Sequence, residues 1–418
     1  MELEVLDALL LPDGRELVAR LTPFEEADAL TTLAAVRRDP RWADRPELVA
    51  AAATQARLRT RATSRFPGPP RWWTPDGLEQ ATRPEVAARH AQRFRAAGID
   101  HVTDLGCGVG SDALALASAR ITVAAIDRDP AAVWALRATA ADLSLPITAL
   151  VGDVREWQER HEAAAATFGC FVDPARRRAG ARQHHPEAWS PPWSWVCALA
   201  ERMPATGAKV APGIDHTAIP GGAQSEWTSV DGDLVEAGIW WGPLRAGPAR
   251  RIATTLRTRP PQRGLSGDPV VVSLDDSAGV PDAVAGDVGD WLVEPDPAVI
   301  RAGLVTVLAD RVGGWLLDPR IAYVTADTQP PDSQLGTAYR LLDELPFARK
   351  RLRAALVARG YGDVVIKKRG VAVQPEQLRR DLRLAGAGPT ATVVLTRTDA
   401  GPRAFLVSRV DRPSRTDP

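Results

Sequence analysis

From residue 100 onward, short β-rich runs alternate with alanine-rich helical runs, and this alternation limits the fold more than any other feature. The β-rich runs HVTDLG, ITVAAID and ITALVGDV have apolar interiors, and helical runs such as PAAVWALRATAADL separate them. FGCFVDPA and AKVAPG continue the series. Strands that are apolar on both faces are typical of parallel sheets covered by helices. The alternation therefore predicts an α/β fold with a doubly wound parallel sheet.

After residue 220 the helical pattern gives way to SEWTSVDGDLVEAGIWWGPL, which predicts an antiparallel hairpin with its turn near Asp231-Gly232. Residues 1–95 are predicted to be helical, and 295–314 to form one helix. The tail from about residue 336 is predicted to run helix, strand, helix, strand, strand, and its first helix carries LLDELPFARKRLRAALVARG. We therefore divide the chain into three predicted domains, at residues 1–94, 95–335 and 336–418.

The composition excludes several classes of protein. The chain has 418 residues, 45% hydrophobic and 25% charged, which is typical of a globular protein and not of a disordered one. No run approaches about 18 apolar residues, so neither a transmembrane helix nor a membrane partner is expected. The three cysteines form no CxxC pair, so we expect no disulfide framework and no metal. The acidic start, MELEVLDALL, does not resemble a secretory signal, and we expect a cytoplasmic protein.

The net charge is zero, but it is unevenly distributed along the chain. From Gly336 onward there are 17 Lys and Arg residues against eight Asp and Glu residues, which leaves +9 on the tail and −9 on the rest. A basic tail indicates a polyanionic partner. Arginine binds phosphate well, but a GC-rich genome is the simpler reason why only four of the 52 basic residues are lysines, at 209, 350, 367 and 368.

The strongest functional motif is Asp104-Leu-Gly-Cys-Gly-Val-Gly110, which lies where the first strand meets a helix. Three glycines allow a sharp turn and the close approach of a ligand. The N–H groups at the start of the following helix favour a carboxylate or a phosphate. The GxGxG spacing differs from the GxGxxG of dinucleotide-binding proteins, and Asp104 would repel a pyrophosphate. Asp104 instead suits a ligand with positive charge or amine donors.

Acidic residues also end the next three strands. Asp127, 23 residues after Asp104, can accept hydrogen bonds from both hydroxyls of a ribose. Asp153 can accept from an adenine amino group while Val154 packs against the ring. The fourth strand ends in Asp173-Pro-Ala-Arg-Arg. Because ligands of such sheets bind beyond the carboxyl ends of the strands, the four motifs are predicted to surround one pocket.

This ordered set of motifs resembles the class I S-adenosylmethionine-dependent methyltransferases over about residues 95–245, including the antiparallel hairpin that ends their Rossmann-like sheet. The resemblance implies S-adenosyl-L-methionine as the cofactor. It implies that the glycine loop holds the methionine part, Asp127 the ribose, and Asp153 with Val154 the adenine, while Asp173 and Pro174 face the substrate. The implied cofactor-binding residues are Asp104, Gly106, Cys107, Gly108, Gly110, Asp127, Arg128, Asp153, Val154, Asp173 and Pro174.

The fourth motif departs from the (N/D)PP(Y/F) pattern of amine-methylating members, because arginine replaces the aromatic residue. DPARRRAG is similar to a loop of RNA uracil-C5 methyltransferases, but Lys209-Val-Ala-Pro-Gly lacks their cysteine nucleophile, which argues against C5 chemistry. Asp173 and Arg176 are the candidate catalytic residues. Asp173 would orient a nitrogen acceptor, and Arg176 would hold a nucleic-acid phosphate unless it pairs with Asp173 or lies in a solvated loop. Cys107 and Cys170 are expected to be packing residues.

The whole chain also resembles bacterial methyltransferase-like proteins with an N-terminal helical domain and a C-terminal THUMP-like domain of ferredoxin-like α+β fold. The resemblance is carried by Trp73-Thr74, GLEQATR, DPARR, KVAPGID, Glu294-Pro-Asp and IKKRG. THUMP-type domains of other enzymes dock RNA, usually tRNA. The resemblance therefore implies RNA (tRNA or rRNA) as the partner, bound through Lys367, Lys368 and Arg369. These three residues could instead protect an exposed strand edge.

Three segments have two interpretations each. Residues 71–83 could cover the cofactor pocket, with Arg83 reaching a carboxylate of the cofactor, or could pack between domains. His184-His185 could contain a general base, although most histidine pairs in loops do not. Trp189, Trp193 and Trp195 could stack on bases, but interdomain packing is the favoured interpretation.

Taken together, the sequence predicts an S-adenosylmethionine-dependent methyltransferase that acts on RNA docked by the basic tail. Methyl transfer from a sulfonium mainly requires alignment of the reacting atoms, which agrees with the absence of an obvious acid–base pair. Two alternatives remain open. The protein could be a catalytically silent module that binds the cofactor and RNA, or it could methylate a small molecule.

Overall fold

The computed structural model describes residues 2–160, 168–175, 177–178, 181–183, 185–258, 268–331 and 334–409, with the backbone alone at 158–160, 177–178 and 181–182. The described residues form two compact units. The first unit comprises residues up to 224 together with 238–246, and the second comprises 225–237 and the described residues from 247 onward. The three-domain division stays a prediction.

The first unit contains ten α-helices and seven strands among its described residues. The helices are α1 (Leu3–Leu10), α2 (Pro12–Leu21), α3 (Ala29–Arg38), α4 (Pro46–Ala62), α5 (Pro75–Gln80), α6 (Pro84–Ala96), α7 (Ser111–Ser118), α8 (Pro130–Asp142), α9 (Val154–Arg160) and α10 (Trp193–Arg202). The strands are β1 (His101–Leu105), β2 (Thr122–Asp127), β3 (Ile147–Val151), β4 (Phe168–Val172), β5 (Arg177–Arg178), β6 (Ala181–Arg182) and β7 (Thr206–Val210).

The predicted parallel sheet is confirmed. Its order is β7-β4-β1-β2-β3, and all four strand pairs are parallel. Helices cover it, and the core includes Phe94 of α6, Leu116 of α7, Leu136 of α8 and Phe171 of β4, each with no exposed surface. Since the strands are parallel, their carboxyl ends meet at one edge of the sheet.

The N-terminal helices form a second core in the same unit, built around α4. Trp42 and Trp72 are almost fully buried there, and Trp134 of α8 belongs to the same cluster. The last part of the region predicted to be helical, before residue 95, is divided into α5 and α6. The division falls before Pro84, which has no N–H to donate and therefore favours the first position of a new helix.

The second unit consists mainly of strands. They are β8 (Gln224–Val230), β9 (Asp233–Trp240), β10 (Arg251–Arg257), β11 (Val270–Asp275), β12 (Trp291–Pro295), β13 (Trp315–Asp318), β14 (Ile321–Ala326), β15 (Gly336–Pro346), β16 (Asp363–Arg369), β17 (Thr390–Thr398) and β18 (Gly401–Arg409). The helices are α11 (Pro297–Arg301), α12 (Val305–Arg311), α13 (Arg349–Ala358) and α14 (Pro375–Leu382). Strand β8 begins in the first unit, at Gln224, and strand β9 ends in it, from Gly238 onward.

The predicted hairpin at Asp231-Gly232 is confirmed. Strands β8 and β9 are neighbours in the sheet, and only these two residues connect them. Both have positive φ, 52° and 93°, as the central residues of a type I′ turn do. A two-residue connection can only join antiparallel strands.

Two predictions for this unit are wrong. Residues 336–346 form strand β15, because their burial has a period near two and they pair with both β12 and β18, so the helix starts only at Arg349. Residues 295–314 form two short helices in place of one, since Gly303 at φ +69° ends the first.

The rest of the predicted tail is confirmed. Strand β16 is parallel to β17, and β17 forms a hairpin with β18 across Asp399-Ala400. These strands belong to a seven-stranded sheet in the order β13-β14-β12-β15-β18-β17-β16. Leu352 and Leu356 of α13 and Leu378 and Leu382 of α14 pack in one core with the sheet. Strand β16 is therefore at an edge of this α+β arrangement.

Candidate active site

A cavity of about 410 Å³ opens at the carboxyl ends of the parallel strands in the first unit. This is the edge where doubly wound sheets bind ligands, and the volume is typical of a cofactor pocket. The structure brings nine of the predicted site residues together in its wall: Gly106, Cys107, Gly108, Asp127, Arg128, Asp153, Val154, Asp173 and Pro174.

The glycine loop has three residues in the left-handed region, with φ of +85° at Gly106, +54° at Gly108 and +82° at Gly110. A Cβ on Gly106 would lie 2.7 Å from the carbonyl oxygen of Asp173, and one on Gly110 would lie 2.2 Å from Leu136. A Cβ on Gly108 would meet no atom within 4 Å. Gly106 and Gly110 therefore allow the loop to pack closely, and Gly108 leaves open space at the cavity.

Asp127 at the end of β2 fixes the glycine loop. The N–H of Gly108 donates to one carboxylate oxygen at 2.8 Å, and the N–H of Asp129 donates to the other at 2.9 Å. A carboxylate can accept about four hydrogen bonds. Asp127 therefore keeps the capacity to accept from hydroxyl groups in the cavity.

The residues predicted to meet an adenine also lie in the wall, but Asp153 already has a charged partner. Arg155 donates to it from its backbone N–H at 2.9 Å and from its guanidinium at 2.8 Å. The side-chain bond from Arg155 is the main reason that the pKa of Asp153 is lowered. Asp153 is therefore held as a carboxylate acceptor. Beside it in the wall, Val154 is 9% exposed, and Arg128 donates to Ser190 at 3.3 Å.

Asp173 forms an ion pair with Lys209, a residue that the sequence interpretation did not assign to the site. The Lys209 ammonium lies 2.5 Å from Oδ2 of Asp173 and donates to Oγ1 of Thr82 at 2.8 Å. The Lys209 side chain is 9% exposed and that of Asp173 is 29% exposed. One signal could have identified Lys209, since it is the only lysine before residue 350 in a chain that strongly favours arginine.

Thr82 links Lys209 to a buried acid–base pair. Its hydroxyl donates to Oδ2 of Asp112 at 2.6 Å, and Oδ1 of Asp112 lies 2.7 Å from Nδ1 of His90. Burial by itself raises the pKa of Asp112, but the bond to His90 and the charge of Lys209 bring it below its usual value. Asp112 follows the glycine loop at the start of α7, but His90 lies in α6 outside any motif, so no sequence pattern links the two residues.

Asp104 lies under the glycine loop and is only 1% exposed. Its Oδ2 has no hydrogen-bond partner among the described residues. Burial raises the pKa of Asp104 well above its usual value, and the nearby charges of Asp112 and Asp173 raise it further. Asp104 and Gly110 are not among the residues that line the cavity, so direct contact of either with a ligand stays a prediction.

The cysteines are placed as packing residues. Cys170 in β4 is fully buried, and burial raises its pKa above the usual range of a thiol. Cys107 lines the cavity, but burial and then the charges of Asp104 and Asp127 raise its pKa as well. Neither thiol is therefore set up as a thiolate nucleophile.

The segment around α5 forms one wall of the cavity through Thr74, Asp76, Gly77, Gln80, Ala81 and Thr82. Gly77 permits this close fit, because a Cβ there would lie 2.2 Å from Val109 of the glycine loop. Trp72 and Trp73, 1% and 2% exposed, pack in the helical core beside it. The segment thus covers the pocket and packs at the same time. Thr82 lines the cavity, whereas the neighbouring Arg83 is not among the lining residues.

The remaining predicted residues of the first unit do not reach the cavity or are not described. Trp189 and Trp193 are 3% and 4% exposed and donate to backbone carbonyls, in agreement with packing. Trp195 is partly buried. Arg176 and His184 lie outside the described residues.

The basic cluster of the tail is partly neutralised within the second unit. Lys367 on β16 forms an ion pair with Glu294 at 2.6 Å, and Arg369 lies 3.9 Å from the same carboxylate. Lys367 also lies over the ring of Tyr339, and Arg369 over that of Tyr323. Lys368 points the other way and is exposed. The three cations therefore present less free charge than their sequence suggests.

Three segments of the chain match known domain families, and most of the chain matches curated relatives. A methyltransferase domain family matches residues 102–185, a THUMP domain-like family matches 336–409, and a domain of unknown function matches 2–62. Uncharacterized S-adenosylmethionine-dependent methyltransferases from two strains of Mycobacterium tuberculosis, CDC 1551 and H37Rv, are each 34% identical to the chain over 348 residues, covering 82% of this chain and 89% of theirs. The chain belongs to the S-adenosylmethionine-dependent methyltransferases.

A solved structure agrees on the fold of this methyltransferase. The crystal structure of a proposed methyltransferase from Porphyromonas gingivalis W83 matches with a TM-score of 0.67 at 21% identity, over 88% of this chain and 92% of that one. The cofactor is S-adenosylmethionine, and the cavity fits it. Gly108 leaves space at the loop, Asp127 can accept from ribose hydroxyls, and the acids around the cavity suit a cationic ligand.

The residues that the structure describes include neither a membrane-spanning helix nor a cluster of metal-ligating side chains. None of the helices there is long and apolar enough to cross a bilayer. In the same part of the chain, no group of three or more His, Cys, Asp or Glu side chains is placed to hold a metal ion.

Proposed function

We propose that this methyltransferase modifies a nitrogen of an RNA base. The observation that most supports this proposal is the ion pair between Asp173 and Lys209 in the cavity wall. The ammonium fixes the position of one oxygen of Asp173, while the partly exposed carboxylate can accept a hydrogen bond from an N–H group. A carboxylate or phenolate acceptor would be repelled at this position. The pair therefore favours a neutral, hydrogen-bond-donating acceptor such as an exocyclic amine.

The cofactor, when bound, supplies an electrophilic methyl group, and the protein supplies alignment. In this proposal Asp173 and Pro174 orient the acceptor, Asp127 binds the ribose, and Asp153 with Val154 binds the adenine. Asp104 and the glycine loop hold the methionine part of the cofactor. Arg176 and Arg83 keep their predicted roles as phosphate and carboxylate contacts.

RNA as the substrate is supported by the THUMP-like match over residues 336–409 and by the net charge of +9 from residue 336 onward. Of the three tail cations predicted to bind RNA, Lys368 is the exposed one. Lys367 and Arg369 would contribute through the local field of a cluster that Glu294 partly neutralises. A cytoplasmic location, where such RNA is found, stays part of the proposal.

The experiment is a transfer assay with the full-length protein, S-adenosylmethionine labelled in its methyl group, and total bacterial RNA. We expect label in RNA, and nucleoside analysis of the product to give an N-methylated base. Asp173→Ala should abolish transfer to RNA, and calorimetry with S-adenosylmethionine measures how much cofactor affinity the same variant loses.

The other outcomes separate the alternatives. Cofactor binding without transfer to RNA or to a small-molecule extract would indicate a silent binding module. Label in the small-molecule extract alone would indicate a small-molecule methyltransferase. A C-methylated base in the product would refute the proposed role of Asp173.

A further inference from the structure

Three arginines of the first unit lie against the rings of Phe66 and Trp72, and none of them forms an ion pair with an acidic side chain of the described residues. Arg65 and Arg71 lie with their guanidinium carbons 5.3 and 5.7 Å from the centre of the Phe66 ring. Arg59 lies 4.2 Å over the ring of Trp72 and donates to the carbonyl of Arg71 at 3.2 Å. We call Arg59, Arg65 and Arg71 the Phe66 patch.

Other arginines of the same helical region do have carboxylate partners. Arg57, which lies in helix α4 together with Arg59, pairs with Glu26 at 2.6 Å. Arg45 pairs with Asp13. Arg41 pairs with Asp39 and Glu16. Among the described residues, no carboxylate lies within ion-pair distance of the Phe66 patch, and the Arg71 guanidinium has no hydrogen-bond acceptor. A general excess of arginine does not account for this contrast within one group of helices.

Burial outweighs the more distant acidic charges near the patch, which are Asp142 for Arg59 and Glu85 for Arg65. Burial lowers the pKa of Arg71, and burial followed by the charge of Arg83 lowers that of Arg65. Burial also lowers the pKa of Arg59. An anion bound by these guanidinium groups would offset part of what burial costs them.

The patch adjoins the wall of the cavity. Arg65 makes long contacts of 3.4 Å with the carbonyl oxygens of Leu78 and Ala81, and Ala81 lines the cavity. These contacts are at the weak end of hydrogen bonds, so most of the five N–H donors of Arg65 stay available. The patch therefore contacts the same segment that encloses the pocket, and Arg65 is exposed there while Arg59 and Arg71 are partly exposed.

We propose that the Phe66 patch binds the phosphodiester backbone of the RNA whose base enters the cavity. Planar guanidinium groups bind phosphate oxygens in a bidentate manner, and their stacking on aromatic rings holds them in place for this. A backbone bound beside the pocket would fix the position of the base without reading its sequence. This inference rests on the proposed RNA substrate.

The test measures binding of fluorescently labelled bulk bacterial tRNA by anisotropy at several salt concentrations, with full-length protein. The double variant Arg65→Gln/Arg71→Gln should weaken binding by roughly 5- to 50-fold and flatten the slope of log affinity against log salt by about 1.5 units. The matched control is Arg57→Gln, which removes an arginine that also lies on a ring, that of Phe24, but has a carboxylate partner. It should change neither quantity by more than about twofold.

The outcomes distinguish this inference from the proposed function. Wild-type protein that does not bind tRNA or total RNA would overturn both. Wild-type binding with an unchanged slope in the double variant, or with an equal loss in Arg57→Gln, would overturn the patch alone. If 10 mM inorganic phosphate or anionic lipid vesicles compete as well as RNA does, a free anion or a membrane surface would replace RNA as the ligand. Unchanged cofactor binding in the double variant, measured by calorimetry, would show that the fold is intact.

Discussion

Two lysine–carboxylate pairs in this protein have similar distances but different surroundings. Lys209 and Asp173 lie in the wall of the cavity, with a lysine side chain that is 9% exposed and a threonine hydroxyl as its second partner. Lys367 and Glu294 lie in the tail sheet, with a lysine side chain that is 34% exposed beside an aromatic ring, and Glu294 also lies near Arg369.

These surroundings give the lysine a different electrostatic effect in the cavity and in the tail sheet. In the cavity, the charge of one ammonium acts on Asp104 and Asp112 as well as on Asp173, and its ion pair fixes where the Asp173 carboxylate points. In the tail, two cations share one carboxylate, so part of the positive charge is already neutralised. A count of basic residues therefore underestimates the electrostatic role of Lys209 in the cavity. It overestimates the free positive charge of the tail cluster.

The largest expected effect is on the stability of the fold, when the lysine of each pair is replaced by methionine. Lys209→Met should lower the free energy of unfolding by about 2 kcal/mol, because it leaves the partly exposed carboxylate of Asp173 without its ion-pair partner. Lys367→Met should lower it by at most about 1 kcal/mol, since its pair is more exposed. Urea denaturation at pH 7.5 measures both. Equal changes in the two variants would contradict the distinction drawn between the pairs.

The next effect concerns the cavity alone. Asp127→Ala should weaken binding of S-adenosylmethionine roughly 10- to 100-fold, because it removes charge-assisted bonds to the ligand and the contact that fixes the glycine loop. Calorimetry measures the affinity. The matched control is Asp100→Ala, at the opposite end of β1, which should bind the cofactor as the wild type does. An unchanged affinity in Asp127→Ala would remove this residue from the site.

A third prediction uses the pH dependence of stability. The pKa of Asp104 is raised in the folded state, so its ionisation destabilises the fold as pH rises through that raised pKa. Asp104→Asn should therefore be more stable than the wild type at pH 8, by about 1–3 kcal/mol, and this gain should shrink as pH falls toward the pKa of an unfolded aspartate. Urea titrations from pH 5 to pH 8 measure it. A gain that is independent of pH would show that Asp104 is not the group that titrates.

The smallest effect is expected in the tail cluster. Lys368→Ala should reduce the salt slope of RNA binding by up to about 1 unit, because Lys368 is exposed, and Lys367→Ala should reduce it by less. Anisotropy with tRNA at several salt concentrations measures both. A larger change for Lys367 would mean that the pair with Glu294 opens when RNA binds.

Much of the fold could be predicted, because periodicity and turn chemistry are local. The parallel strands β1 to β4, the turn at Asp231-Gly232 and the hairpin of β17 and β18 all follow from short stretches of sequence. Residues 336–346 could not be placed in the same way. Their alternation runs directly into the helix α13, and only pairing with β12 and β18 gives them a strand conformation.

For the site, the sequence by itself determined the residues at the strand ends and the glycine loop, since the chain order of a doubly wound sheet brings every carboxyl end to the same edge. Only the tertiary structure decided which residues surround them. Lys209, Thr82, Asp112 and His90 come from distant parts of the chain, and no local pattern links them. Their contact depends on how α5 and α6 pack on the sheet, and buried charges then find partners because leaving them unpaired costs too much free energy.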